Sequence, residues 1–87
     1  MISNEFTIRH AVGLHARPAS MFVQTAQKFS SKVTVTVGEK TINAKSILSL
    51  LGLGVTQGTT IKVTADGADE KEVLTALQQL IDSNFGE

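Results

Sequence analysis

Two stretches of this chain alternate strictly between apolar and polar residues, and this period of two constrains the fold more than any other feature. In residues 32–37, Val33, Val35 and Val37 lie on one side of an extended chain, whereas the threonines between them lie on the other. Residues 60–66 repeat the pattern, with isoleucine, valine and alanine opposite threonine and lysine. The sequence therefore predicts a sheet with one apolar face and one solvated face.

Two further stretches complete the predicted sheet. Residues 2–8 carry three large apolar side chains of the same parity, which predicts a strand with one buried face. Gly38 and Glu39 fit a two-residue turn between residues 32–37 and 40–43. These two segments should therefore be antiparallel neighbours.

Two other segments have the spacing of helices. Residues 16–28 carry apolar side chains three and four positions apart, and Pro18 marks the first turn, where its missing N–H would have no intrahelical partner. The stripe consists of Ala19, Phe22, Val23, Ala26 and Phe29. A shorter apolar helix is predicted through about Leu51, with Ser46 as its N-cap and glycines at its end.

A third helix is predicted near the end of the chain. Asp69 is suited to cap it, Glu72 would complete an arrangement similar to a capping box, and Glu70 adds favourable charge in the first turn. Its apolar stripe consists of Val73, Leu74, Leu77, Leu80 and Ile81. With one sheet face solvated, all three helices should cover the other face, so residues 1–87 are predicted to form a single two-layer α+β domain.

Composition narrows the classes of function. Eight basic residues balance eight acidic ones, and four phenylalanines are the only aromatic side chains, so no nucleic-acid interface is expected. The chain lacks cysteine, which excludes disulfides and thiolate metal sites, and no carboxylate is suitably spaced to complete a metal site with the two histidines. No apolar run reaches membrane-spanning length, and no signal peptide is recognised at the N-terminus. We therefore expect a cytoplasmic protein with no membrane insertion and no bound metal.

The candidate site is His15, which immediately precedes the first predicted helix. The first backbone N–H groups of that helix, from Ala16 onward, lack intrahelical partners, and Arg17 adds a permanent cation. An imidazole with a reference pKa of roughly 6.5 is mostly neutral near pH 7, so it has a lone pair for attack on phosphorus. These groups suit a phosphoryl group bound to His15. By composition alone, a histidine before a helix is more often a surface or capping residue.

Four sequence motifs resemble those of one protein family, the bacterial phosphocarrier protein HPr of the phosphoenolpyruvate-dependent sugar phosphotransferase system. The similar segments are Gly-Leu-His-Ala-Arg-Pro-Ala at 13–19, Asn-Ala-Lys-Ser-Ile-Leu at 43–48, Leu-Gly-Val-Thr-Gln-Gly-Thr at 53–59 and Asp-Glu at 69–70. The resemblance implies an open-faced, four-stranded antiparallel sheet in the order 1-4-2-3. It also implies a carrier that is not an autonomous enzyme and needs no cofactor. His15 would accept phosphate from enzyme I, through Nδ1, and pass it to IIA components of sugar permeases.

The resemblance also implies a regulatory phosphorylation site and a docking surface for partner proteins. Ser46 matches a regulatory serine phosphorylated in some bacteria by HPr kinase/phosphorylase, which becomes a further candidate partner. Ile47, Leu48 and Leu51 cluster on one face of the second helix as an apolar patch suited to enzyme I and IIA, with burial of the patch in the core as the alternative. A monomer is expected.

Several alternatives stay open at the level of sequence. A carrier of the nitrogen-related branch, with a purely regulatory role, is the main one. A regulatory module without phosphoryl transfer is disfavoured because His15 is present. Val12 departs from the family, in which this position is usually small and polar, so any hydrogen bond made there in relatives is absent. His10 is expected to be a solvated residue.

Overall fold

The computed structural model describes residues 1–9, 13 and 16–86. Within this part the chain forms β1 (Ile2–Thr7), α1 (Ala16–Gln27), β2 (Lys32–Val37), β3 (Lys40–Asn43), α2 (Ile47–Gly52), β4 (Thr60–Asp66), α3 (Glu70–Asp82) and a short 3-10 turn (Asn84–Gly86). The predicted elements are confirmed. The limits differ by one residue at three ends: the first strand ends at Thr7, the first helix at Gln27 and the second helix at Gly52.

The four strands form one antiparallel sheet in the order β1-β4-β2-β3, as the family resemblance implied. Its solvated face carries cross-strand hydroxyl pairs. Ser3 lies 2.8 Å from Thr64 between their oxygens, and Thr36 lies 2.9 Å from Thr41. Because threonines on neighbouring strands satisfy one another, this face needs no covering layer. All three helices cover the other face, so the fold is the predicted two-layer α+β domain.

The core lies between the sheet and the helices. Each layer contributes fully buried side chains, among them Phe22 of α1, Leu50 of α2, Leu77 of α3 and Val63 of β4. Leu80 of the predicted α3 stripe is only partly buried at the edge of this core. Among the described residues no helix is long and apolar enough to span a lipid bilayer.

The predicted capping box at α3 is wrong. Asp69 occupies the N-cap position, but its side chain makes no hydrogen bond to the helix. Its carboxylate instead accepts hydrogen bonds from the backbone N–H groups of Ser30 and Ser31, each at 2.9 Å, and from both serine hydroxyls. Ser31 is almost fully buried, so its polar groups would lack partners without this carboxylate. Glu72 is exposed in the first turn and completes no box.

The donors around Asp69 determine its protonation. The Ser31 hydroxyl first, and then the Ser30 backbone N–H, lower the pKa of Asp69 to about 2. The neighbouring Glu70 accepts hydrogen bonds from the N-terminal ammonium of Met1 at 3.1 Å and from the Gly67 N–H at 3.3 Å, which also lower its pKa. Two carboxylates thus connect α3 to the α1–β2 connection and to the start of β1.

Candidate functional site

The N-terminus of α1 is the centre of the candidate site. Ala16 and Arg17 are exposed there, whereas Pro18 is buried. The first turn of α1 contains no acidic residue, and among the described residues none forms a hydrogen bond or ion pair with the Arg17 guanidinium. His15 is bonded directly to Ala16 and lies outside the described residues, as do His10 and Val12. Within the part of the chain that the structure describes, no carboxylate neutralises the positive helix end or Arg17, and both groups attract anions.

Gly13 brings the segment before α1 against the connection between α2 and β4. It is buried and has a φ of +69°, a conformation that side chains with a Cβ rarely adopt. A Cβ at this position would lie 2.7 Å from the Cα of Thr56 and still closer to the carbonyl oxygen of Val55. Glycine is therefore required for two independent reasons, and the chain two residues before His15 rests directly on residues 55 and 56.

The same connection holds the chain where it leaves β1. The Ile8 N–H donates to the Thr59 carbonyl at 2.9 Å, and the Gly58 N–H donates to the Ile8 carbonyl at 2.7 Å. The Gln57 side chain donates from Nε2 to the Arg9 carbonyl at 3.3 Å. Sequence reasoning missed this supporting role, because the Thr-Gln-Gly-Thr segment contributed only to the resemblance. The Gln57-Gly58 turn signal was the one local sign of it.

Ser46 lies at the N-terminus of α2, and its predicted capping role is confirmed. Its backbone is extended, with φ −115° and ψ 113°, and its Oγ accepts a hydrogen bond from the Ser49 N–H at 3.4 Å. The Ser46 carbonyl accepts the N–H of Leu50 at 3.1 Å. Ser46 as a whole residue is partly exposed.

The three residues of the predicted apolar patch differ in exposure. Leu48 is 80% exposed and Ile47 is 37% exposed, whereas Leu51 is half-buried and packs against the core. Leu50, the neighbour that was predicted to point inward, is fully buried. The exposed patch thus consists of Ile47 and Leu48, and Leu51 contributes to it only in part, because α2 is short and lies close against the core.

Two contacts place α2 alongside α1. The Lys45 ammonium donates to the Phe29 carbonyl at 2.8 Å, and the Gln27 amide donates to the Lys45 carbonyl at 3.1 Å. The start of α2 therefore lies beside the end of α1, while the chain after α2 contacts Gly13.

Comparisons with known proteins place these features in context. The family model described as "PTS HPr component phosphorylation site" matches residues 2–83. A phosphocarrier protein HPr of Neisseria meningitidis is 44% identical over 100% of this chain and 98% of the relative, and one from Xylella fastidiosa is 40% identical with the same coverage.

Solved structures agree with these relatives. A crystal structure of HPr-C-His from Thermoanaerobacter tengcongensis has a TM-score of 0.97 and 50% identity, and the match covers 100% of this chain and 98% of that one. A crystal structure of an HPr dimer from the same organism has a TM-score of 0.81 and 52% identity, with 94% of each chain covered.

Proposed function

The chain belongs to the HPr family of phosphocarrier proteins of the phosphotransferase system, and from this premise we propose that it accepts a phosphoryl group on His15 from enzyme I and passes it to IIA components of sugar permeases. The observation that carries the proposal is the exposed start of α1, where Arg17 and the first backbone N–H groups directly follow His15. The protein is then a covalent intermediate in transfer between enzymes and catalyses little alone.

In the proposed transfer, the neutral imidazole of His15 attacks phosphorus. A P–N bond forms to His15 while the bond between phosphorus and the carrying atom of enzyme I breaks, and the leaving group keeps that electron pair. The second transfer reverses this step toward IIA. Arg17 and the N-terminus of α1 favour the dianionic product over the imidazolium ion, so the same groups support both the nucleophile and the intermediate. The absence of acidic residues from the first turn of α1 supports this role, because a carboxylate there would compete for the cations.

The exposed face of α2 suits transient contact with the two proposed partners. Leu48 is an exposed leucine with Ile47 next to it, and their exposure supports the proposed docking of enzyme I and IIA on α2. The proposed docking surface also includes the half-buried Leu51. We propose that the chain acts as a monomer in the cytoplasm, which sedimentation velocity and cell fractionation would test. A dimer at physiological concentration would contradict the first of these two statements.

Phosphorylation of Ser46 by an HPr kinase/phosphorylase is the proposed regulation. A phosphate at this N-cap would be stabilised locally by the first N–H groups of α2. Because Ser46 directly precedes the exposed Ile47 and Leu48, the charge of the phosphate would act on docking at these two residues.

The proposal is tested by incubating the protein with phosphoenolpyruvate, with and without enzyme I, and measuring intact mass. We expect a gain of one phosphoryl group that requires enzyme I and is lost in His15→Ala. The matched control is His10→Ala, which removes the other imidazole of the same segment and should be phosphorylated like the wild type. Phosphorylation that persists in His15→Ala, or is lost in His10→Ala, would show that the acceptor is misassigned.

A further inference from the structure

Between described residues, the side chain of Gln57 makes one hydrogen bond, and that bond reaches the chain leading to His15. Its Nε2 donates to the carbonyl oxygen of Arg9 at 3.3 Å. Gln57 is itself exposed, at the second position of the turn formed by residues 56–59. Among the described residues it is the one side chain of this turn that bonds to the segment joining β1 to α1.

The turn closes without help from the Gln57 side chain. The Thr59 N–H donates to the Thr56 carbonyl at 3.1 Å, and the two threonine hydroxyls lie 3.3 Å apart. Gly58 supplies the positive φ of 88° that the third position of such a turn requires. The glutamine amide is therefore not needed to form the turn, and its removal should leave the turn intact.

The backbone around Ile8 is also held without Gln57. Ile8 exchanges two main-chain hydrogen bonds with Gly58 and Thr59, and its side chain is fully buried. One residue later, the carbonyl of Arg9 accepts the Gln57 amide, and Gly13 is the next described residue that contacts the connection. Gln57 thus extends the attachment of the chain by one peptide unit toward His15, at a position that contributes little to the core.

We propose that Gln57 is a positioning residue for phosphoryl transfer, which holds the Arg9 carbonyl and thereby the direction in which the chain approaches His15. This inference rests on the proposed function of His15 as the phosphoryl acceptor. In this role the Gln57 side chain does not contact the phosphoryl group. A net contribution typical of one neutral hydrogen bond corresponds to about a two- to tenfold change in the rate of transfer when the bond is removed.

Three substitutions at position 57 distinguish the effect of losing the hydrogen-bond donor from the effects of changing the size and charge of the side chain. Gln57→Met keeps the length and loses the donor, and Gln57→Glu has an isosteric carboxylate that accepts only. Gln57→Lys restores a donor of similar reach. The matched control is Gln79→Met, because Gln79 is exposed on α3 and its side chain forms no hydrogen bond within the described part of the chain.

The variants are compared in full-length protein by stopped-flow transfer from phosphorylated enzyme I and transfer to IIA. We expect the maximal rate with both partners to fall about two- to tenfold in Gln57→Met and Gln57→Glu, with an unchanged apparent KM, and to recover in Gln57→Lys. The melting temperatures of Gln57→Met and Gln57→Glu should fall by no more than about 10 °C, because one exposed hydrogen bond is lost and the core is unchanged. A Gln57→Lys variant as slow as Gln57→Met would overturn the proposal, as would a change confined to KM, which would make Gln57 a docking residue.

An NMR comparison tests the inference without any enzyme. The carbonyl 13C resonance of Arg9 and the imidazole 15N resonances of His15 should shift in Gln57→Met and Gln57→Glu, but not in Gln57→Lys or Gln79→Met. Unchanged resonances in all four variants would refute the positioning role. If the wild type accepted no phosphoryl group from enzyme I, the proposed function would fail, and the NMR result would still decide whether Gln57 positions this segment.

Discussion

Replacement of Gly13 by alanine is expected to destabilise the domain and to impair phosphoryl acceptance together. The buried Gly13 has a φ of +69° and leaves no room for a Cβ against the backbone of residues 55 and 56. A left-handed conformation costs a residue with a Cβ about 1–2 kcal/mol. Displacing closely packed backbone costs about a further 1–3 kcal/mol. The two contributions together predict a loss of about 2–5 kcal/mol.

This loss is large for a domain of this size. At 0.05–0.15 kcal/mol per residue, 87 residues correspond to a free energy of unfolding of about 4–13 kcal/mol. Each kcal/mol shifts the melting temperature of such a domain by about 4–8 °C, so Gly13→Ala should melt at least about 8 °C below the wild type. The variant should still fold, unless the wild-type stability lies at the lower end of this range.

Two other glycines separate the two causes. Gly54 has a φ of +65° but open space around a Cβ, so Gly54→Ala should lose only about 1–2 kcal/mol. Gly52, the last residue of α2, has neither a positive φ nor a close neighbour, so Gly52→Ala should be neutral or stabilising by up to about 1 kcal/mol.

Urea unfolding and calorimetry on the three variants, with the rate of phosphoryl acceptance from enzyme I, complete the test. We expect the order of stability to be Gly52→Ala, Gly54→Ala and then Gly13→Ala. The acceptance rate of folded protein should fall only in Gly13→Ala, because only this glycine of the three lies in the segment that leads to His15 and packs on residues 55 and 56. Equal stability of Gly13→Ala and Gly54→Ala would refute the close approach of Gly13 to residues 55 and 56.

Four further predictions follow from the described contacts. Arg17→Ala should slow phosphoryl transfer about 10- to 1000-fold in single-turnover assays, because one charge-assisted contact to the phosphoryl group is lost. An unchanged rate would show that Arg17 is only a solvated cation. Leu48→Glu should weaken the affinity for enzyme I, measured by calorimetric titration, with little change in melting temperature, whereas Leu50→Ala should lower stability by about 2–5 kcal/mol. Ser46→Asp should raise the apparent KM for enzyme I at low salt, and a change in the maximal rate alone would contradict an effect on docking. Asp69 has a folded-state pKa of about 2, below its unfolded value, so its contribution is present above about pH 4 and is lost as pH falls toward 2. The fall in melting temperature over this range should be smaller in Asp69→Asn than in the wild type.

Local sequence periodicity determined the elements and the side of the sheet that is buried. The alternation of valine and threonine in residues 32–37 predicted β2 with its correct limits, and the pattern in 60–66 did the same for β4. The apolar stripes predicted α1 and α3, and the position of Ser46 predicted the start of α2. These predictions succeed because the burial of neighbouring side chains along one strand or helix repeats with the geometry of that element.

The tertiary structure decided which distant groups meet. Asp69 has the local sequence pattern of a helix cap. Its carboxylate instead accepts hydrogen bonds from Ser30 and Ser31, which lie more than thirty residues earlier in the connection between α1 and β2. Gly13 and Gln57 acquire their roles only where the connection after α2 passes beneath the segment before α1. A local pattern contains no information on a partner at this separation. The pairing of β4 with its two neighbours decides both contacts. Thr7 lies opposite Thr60, which brings the segment before α1 to the connection after α2. Lys32 lies opposite Asp66, which brings Ser30 and Ser31 to Asp69 at the other end of β4.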